Sequence, residues 1–99
     1  MNIQDKTIVF KIDSDNNFTE LNPKKNVTNF IADLSGISVQ LAERIKNKFI
    51  TFDKNISKMN GSFVIVCDFS FDDNLNIVPT LQEAYDFIEM EEIERELKL

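Results

Sequence analysis

Between Ser38 and Cys67 the chain reads SVQLAERIKNKFITFDKNISKMNGSFVIVC, and two periodicities meet there. Leu41, Ile45, Phe49, Phe52, Ile56 and Met59 recur at spacings of three and four. At about 100° per residue they fall within an arc of roughly 80°, one apolar stripe on a helix. Ser38 is a preferred N-cap residue, and Asn60-Gly61 is the expected left-handed stop. Phe63-Val64-Ile65-Val66-Cys67 follows at once. Five consecutive apolar residues predict a strand covered on both faces, as in a central parallel position.

The flanks extend this pattern. Upstream, Thr28–Leu34 reads as a strand stopped by Ser35-Gly36, so the long helix is a crossover joining two parallel strands. Further upstream, Thr7–Ile12 alternates, with Ile8, Phe10 and Ile12 on one face. Phe18–Leu21 reads as a short strand or one helical turn. Downstream, Leu75–Val78 is a short strand, and Thr80 with Glu83 forms a capping box that opens a helix running toward Leu97. The expected fold is α/β: a small mixed, mainly parallel sheet in the order β-β-α-β-β-α. Both helices are expected on one face. Residues 1–99 make one domain, with 90–99 an acidic amphipathic extension of the last helix.

Composition narrows the chemistry. The chain has no His and one Cys, which excludes a Ser-His-Asp triad, a Cys-His dyad, a His-ligated metal and an intramolecular disulfide. The formal charge of -6 argues against sequence-independent nucleic-acid binding. Residues 51–99 hold 11 acidic and 4 basic residues, so a partner of that end is expected to be basic protein surface. Met1–Lys6 lacks the pattern of a secretory signal, and no apolar run nears the roughly 18 residues that span a bilayer. With a lone Cys inside a buried strand, the expected compartment is the cytoplasm, with no membrane partner. Nine Phe and no Trp predict a core built largely on Phe.

Asp33-Leu34-Ser35-Gly36-Ile37, then a long helix, then Asn60-Gly61-Ser62-Phe63-Val64-Ile65-Val66, then Ile77-Val78-Pro79-Thr80-Leu81-Gln82-Glu83-Ala84 occur in a familiar order. The order resembles the STAS domain of bacterial anti-sigma factor antagonists, over residues 27 to 90. Pro79–Ala84 with Ile88–Arg95 is similar to the C-terminus of small STAS-like proteins of Bacteroidota encoded beside, and sometimes named as, ribonuclease Z. That nuclease needs a His-rich di-zinc site, which a chain without His cannot build. The resemblance implies a non-enzymatic regulatory domain that docks to a protein partner, such as an anti-sigma factor or a kinase-like regulator. The family's D-S-[ST]-G-[LF] phosphoacceptor turn is missing, and Gly36-Ile37-Ser38-Val39-Gln40 occupies its place.

Candidates for function lie before the last helix as well as on it. Ser38 is either a phosphoacceptor at a helix N-terminus or an ordinary cap. Asp13, Asp33 and Asp68 each end a predicted strand, as in a phosphorylatable Mg²⁺ site, although turns also favour Asp there. Asp13–Asn17 starts like a calcium loop, but Phe18 and Lys24 stand where that loop needs Gly and Glu. Phe69 and Phe71 are expected to point inward as a lid on the core, the alternative being an exposed contact patch.

The last helix carries two apolar stripes. Leu81, Ala84, Tyr85 and Ile88 should face the sheet, while Met90, Ile93 and Leu97 lie about 150° around the cylinder. Either the helix bends near Glu89, or the second stripe meets a partner or a second subunit, or it is a frayed acidic tail. The reading is a non-enzymatic docking domain without a cofactor. Structural homodimerisation and a phosphoacceptor or metal-binding domain using the strand-end Asp residues are the alternatives.

Overall fold

Strand β4 (Ser62–Val66) is buried along its whole length, and the rest of the molecule is arranged around it. The structure, a computed structural model, describes residues 2–4, 7–12 and 27–97. The described elements are β1 (Asn2–Gln4), β2 (Thr7–Lys11), β3 (Asn29–Asp33), α1 (Val39–Lys58), β4, β5 (Ile77–Val78) and α2 (Leu81–Leu97). They form one sheet in the order β1-β2-β3-β4-β5. β1 is antiparallel to β2, and every other pair is parallel. The small, mainly parallel α/β sheet expected from the sequence is therefore present, with one further strand, β1, at its edge. Phe18–Leu21 lies outside the described residues.

Alternation along the strands sorts the core into two layers. In register, Ile8 pairs with Phe30 and Phe30 with Phe63. These residues, with Ala32 and Ile65, pack against Ile45, Phe49, Phe52 and Ile56 of α1. The intervening positions Ile31, Val64 and Val66 pack with Ala84 and Ile88 of α2. The two helices therefore cover opposite faces of the sheet, which corrects the expectation that they share one. The physical reason lies in β4, which is buried along its whole length and needs cover on both sides of the sheet.

Phe carries much of the α1 layer. Phe52 meets Phe10, Phe30 and Phe63 edge-on, with ring centroids 6.3, 5.3 and 5.0 Å apart. Such pairs each add about 0.5–1.5 kcal/mol beyond area burial. Cys67 is buried as a free thiol.

The ends of α1 explain its length. Ser38 is the N-cap, its Oγ accepting from the Leu41 N–H at 3.2 Å. At the other end, the Asn60 N–H donates to the Ser57 carbonyl and the Gly61 N–H to the Ile56 carbonyl, both at 3.0 Å. That pair is a Schellman motif. Asn60, not Gly61, takes the left-handed conformation, at φ 60°. Gly61 is needed for a different reason: a Cβ there would collide with the Thr28 carbonyl oxygen and come within 2.9 Å of Ile56 Cγ2. The helix stops at Lys58, so Met59 leaves the buried stripe and is exposed.

Candidate functional site

The carboxyl ends of the strands, where open parallel sheets commonly bind ligands, are built for closure. Ligand crevices form where strand order reverses, and the described sheet has no reversal. Phe69 and Phe71 pack inward on the α1 layer, Phe71 lying 6.1 Å from Phe49 between ring centroids. Asp33 Oδ1 accepts from the Ser35 N–H at 3.0 Å and from Ser35 Oγ at 2.6 Å, an Asx turn after β3. Burial raises the Asp33 carboxyl pKa, but the two Ser35 hydrogen bonds and the Lys11 charge outweigh it and hold the pKa below its ordinary value. Asp68 is exposed. Asp13 lies outside the described residues. Among the described residues no three Asp, Glu, Cys or His side chains converge on one point, so Asp33 and Asp68 gain no third ligand there. Ser38 is exposed and engaged as the α1 cap.

The amino ends of β3 and β4 hold a polar network that sequence reading missed. Asn29 and Ser62 begin these strands and are buried. Asn29 Oδ1 accepts from the Ser62 N–H at 3.2 Å, while Asn29 Nδ2 donates to Glu92 Oε2 at 3.0 Å. Ser62 Oγ donates to Glu91 Oε1 at 2.5 Å and accepts from Arg95 Nη1 at 3.0 Å. A hollow of about 240 Å³ opens beside them, lined by Asp53, Asn60, Asn76, Glu91 and Arg95 among others. Burial, then the negative charge of Glu91, pushes the Asp53 carboxyl pKa up. Each buried polar atom of Asn29 and Ser62 finds a partner, as stability in a low-dielectric setting requires. The network ties the last turns of α2 to the middle of the sheet. Its only trace in the sequence is two polar residues leading apolar strands.

Helix α2 is continuous from Leu81 to Leu97 and is held by Glu91, Glu92 and Arg95. It does not fray before Leu97. Thr80 Oγ1 accepts from the Glu83 N–H at 3.1 Å, the first half of the expected capping box. Ala84 and Ile88 are buried, with Tyr85 and Phe87 half-buried beside them. Leu81 departs from expectation at 40% exposed. The second stripe faces solvent: Met90 is 61%, Ile93 47% and Leu97 80% exposed. Next to it runs a groove of about 440 Å³, lined by Val78, Phe87 and Met90 and rimmed by Glu83, Asp86, Glu91 and Glu94.

A small α/β domain that displays an acid-rimmed apolar stripe on a clamped helix is the class these features define. No known protein family, curated protein or solved structure matches the chain. Among the described residues no helix is long and apolar enough to cross a membrane.

Proposed function

We propose that this chain is a non-enzymatic, STAS-like regulatory domain that works by docking to a protein partner in the bacterial cytoplasm. The observation that carries the reading is the exposure of Met90, Ile93 and Leu97 on a helix whose opposite side packs on the sheet through Ala84 and Ile88. Three large apolar side chains in one stripe on an ordered helix mark an interaction surface. The hydrogen bonds from Asn29, Ser62 and Arg95 hold that surface in shape before any partner arrives, which lowers the ordering cost of binding. The order of the DLSG turn, the long helix, Gly61 and the TLQEA helix start supports the STAS-like assignment. The partner class implied by that resemblance is an anti-sigma factor or a kinase-like regulator.

The test is affinity capture from native cell lysate with the wild-type chain and with Met90→Glu/Ile93→Glu. Circular dichroism checks that both are folded. The expected result is a specific set of proteins retained by the wild type and lost by the variant. Equal retention by both, or retention by neither, overturns the reading.

A further inference from the structure

The outer face of α2 has a register as well as a composition. Met90, Ile93 and Leu97 are spaced three and four apart, the a and d positions of a heptad seam. Extending the register toward the N-terminus puts Glu83 and Asp86 in the same seam. The flanking positions are then Phe87 and Glu94 on one side and Glu89 and Glu96 on the other. Glu83, Asp86, Phe87, Met90 and Glu94 line one groove together with Val78 and Glu91, which runs along one flank of this seam. Among the described residues, Glu83, Asp86, Glu89, Glu94 and Glu96 make no ion pair with a basic side chain. The seam is thus apolar over its last two turns and acidic before them, with carboxylates along both flanks.

Resting on the docking reading above, we infer that the occupant of this face is a basic amphipathic helix of a partner protein, laid along α2 as in a two-stranded coiled coil. Its apolar a and d side chains sit on Met90, Ile93 and Leu97. Its Lys or Arg residues meet Glu89, Glu94 and Glu96 at the flanks and Glu83 and Asp86 in the seam. Charge decides against the other occupants. In a parallel pair of α2 helices from two copies, Glu83 opposes Glu83, Asp86 opposes Asp86, and Glu89 faces Glu94. In an antiparallel pair, the flanks set Glu89 and Glu96 against each other. Both orientations place like charges at close range, which disfavours them. An anionic lipid surface or a phosphate backbone meets the same repulsion.

The probe is a synthetic three-heptad peptide with Leu at a and d and Lys at e and g, compared with its counterpart carrying Glu at e and g. Each is titrated into the full-length chain, followed by peptide fluorescence anisotropy and by amide shifts. The expected result is saturable one-to-one binding of the Lys peptide, with shifts centred on Met90, Ile93 and Leu97. The Glu peptide binds at least about tenfold more weakly, a ratio worth about 1.4 kcal/mol. The variant Glu89→Lys/Glu94→Lys/Glu96→Lys changes only side chains on the outer flanks, and it should reverse the preference between the two peptides. Several results overturn the inference: no saturable binding of the Lys peptide, shifts centred elsewhere, or an unreversed preference. A wild-type dimer in sedimentation that Ile93→Glu dissolves also overturns it, since the occupant is then a second copy. If capture depends on Met90 and Ile93 while the Lys peptide fails, the partner's chemistry is wrong and the docking reading stands. If both fail, the docking reading falls.

Discussion

Helices α1 and α2 flank the same strand, β4, and solve different problems. On α1 the apolar side chains form one stripe, and Ala42, Ile45, Phe49, Phe52 and Ile56 are all buried. On α2 the apolar side chains go around the cylinder, and only Ala84 and Ile88 are buried. α1 adheres through hydrophobic contact. α2 adheres through a short apolar patch at its start and, toward its end, through hydrogen bonds that Glu91 and Glu92 accept and Arg95 donates. The comparison teaches that a helix held by polar contacts keeps a run of apolar surface available, whereas one held by its stripe exposes only a terminal residue, Val39, to the same degree.

The largest break in this contrast comes from the α1 layer. Phe30→Ala leaves a cavity beneath Phe52 and is expected to cost about 3–5 kcal/mol. Against a total of about 5–15 kcal/mol for a domain, urea denaturation should show a large fall in midpoint. Gly61→Ala comes next, at about 1–3 kcal/mol from overpacking against the Thr28 carbonyl, read the same way. Asn60→Gly, where the left-handed conformation is already in use, should be close to neutral.

The polar clamp is the next test. Asn29→Leu removes the acceptor for the Ser62 N–H side interaction and the donor to Glu92, at about 1–3 kcal/mol. Hydrogen exchange should show protection falling over residues 91–97 of α2 while residues 45–56 of α1 keep theirs. Equal loss in both helices would dissolve the contrast.

A smaller effect is expected from Asp53. Its pKa is raised in the folded state, so the native protein binds its proton more tightly than the unfolded chain does. Stability from this group therefore falls as pH rises from the ordinary value of 3.8 through the raised one. Asp53→Asn should be neutral or slightly stabilising at pH 7 and should flatten that part of the pH–stability curve. Smallest of all, Met90→Ala, Ile93→Ala and Leu97→Ala should each shift stability by no more than about 0.5 kcal/mol. A larger loss in any of them would mean that the outer stripe serves the fold.

The fold was legible where one period dominated. The stripe from Leu41 to Ile56 on α1 and the apolar run of β4 each permit a single local structure. Strand β1 was not legible, since three residues, Asn2-Ile3-Gln4, carry no period. The face of α2 was misread although the signal was present. A strand as apolar as Phe63–Cys67 needs cover on both sides, and two helices on one face leave the other bare. The outer stripe of α2 was legible from spacing alone, because helical geometry fixes which positions share a side. The Asn29–Ser62–Glu91–Glu92–Arg95 network was not. Its members are brought together by β3–β4 register and the placement of α2, and polar residues at strand starts have many ordinary roles.

Opposite placement of the two helices has an electrical consequence. On one side of the sheet α1 carries Arg44, Lys46, Lys48, Lys54 and Lys58 beside Glu43 and Asp53, and on the other α2 carries Glu83, Asp86, Glu89, Glu91, Glu92, Glu94 and Glu96 beside Arg95. The two helices are therefore of opposite net charge, with the sheet between them. In the field of the basic partner inferred above, this polarity would produce a torque that turns the α2 side forward before contact, raising the fraction of productive collisions at low ionic strength. Added salt shortens the reach of that torque to about 8 Å at physiological strength, so the encounter rate should fall with salt before the lifetime of the complex does.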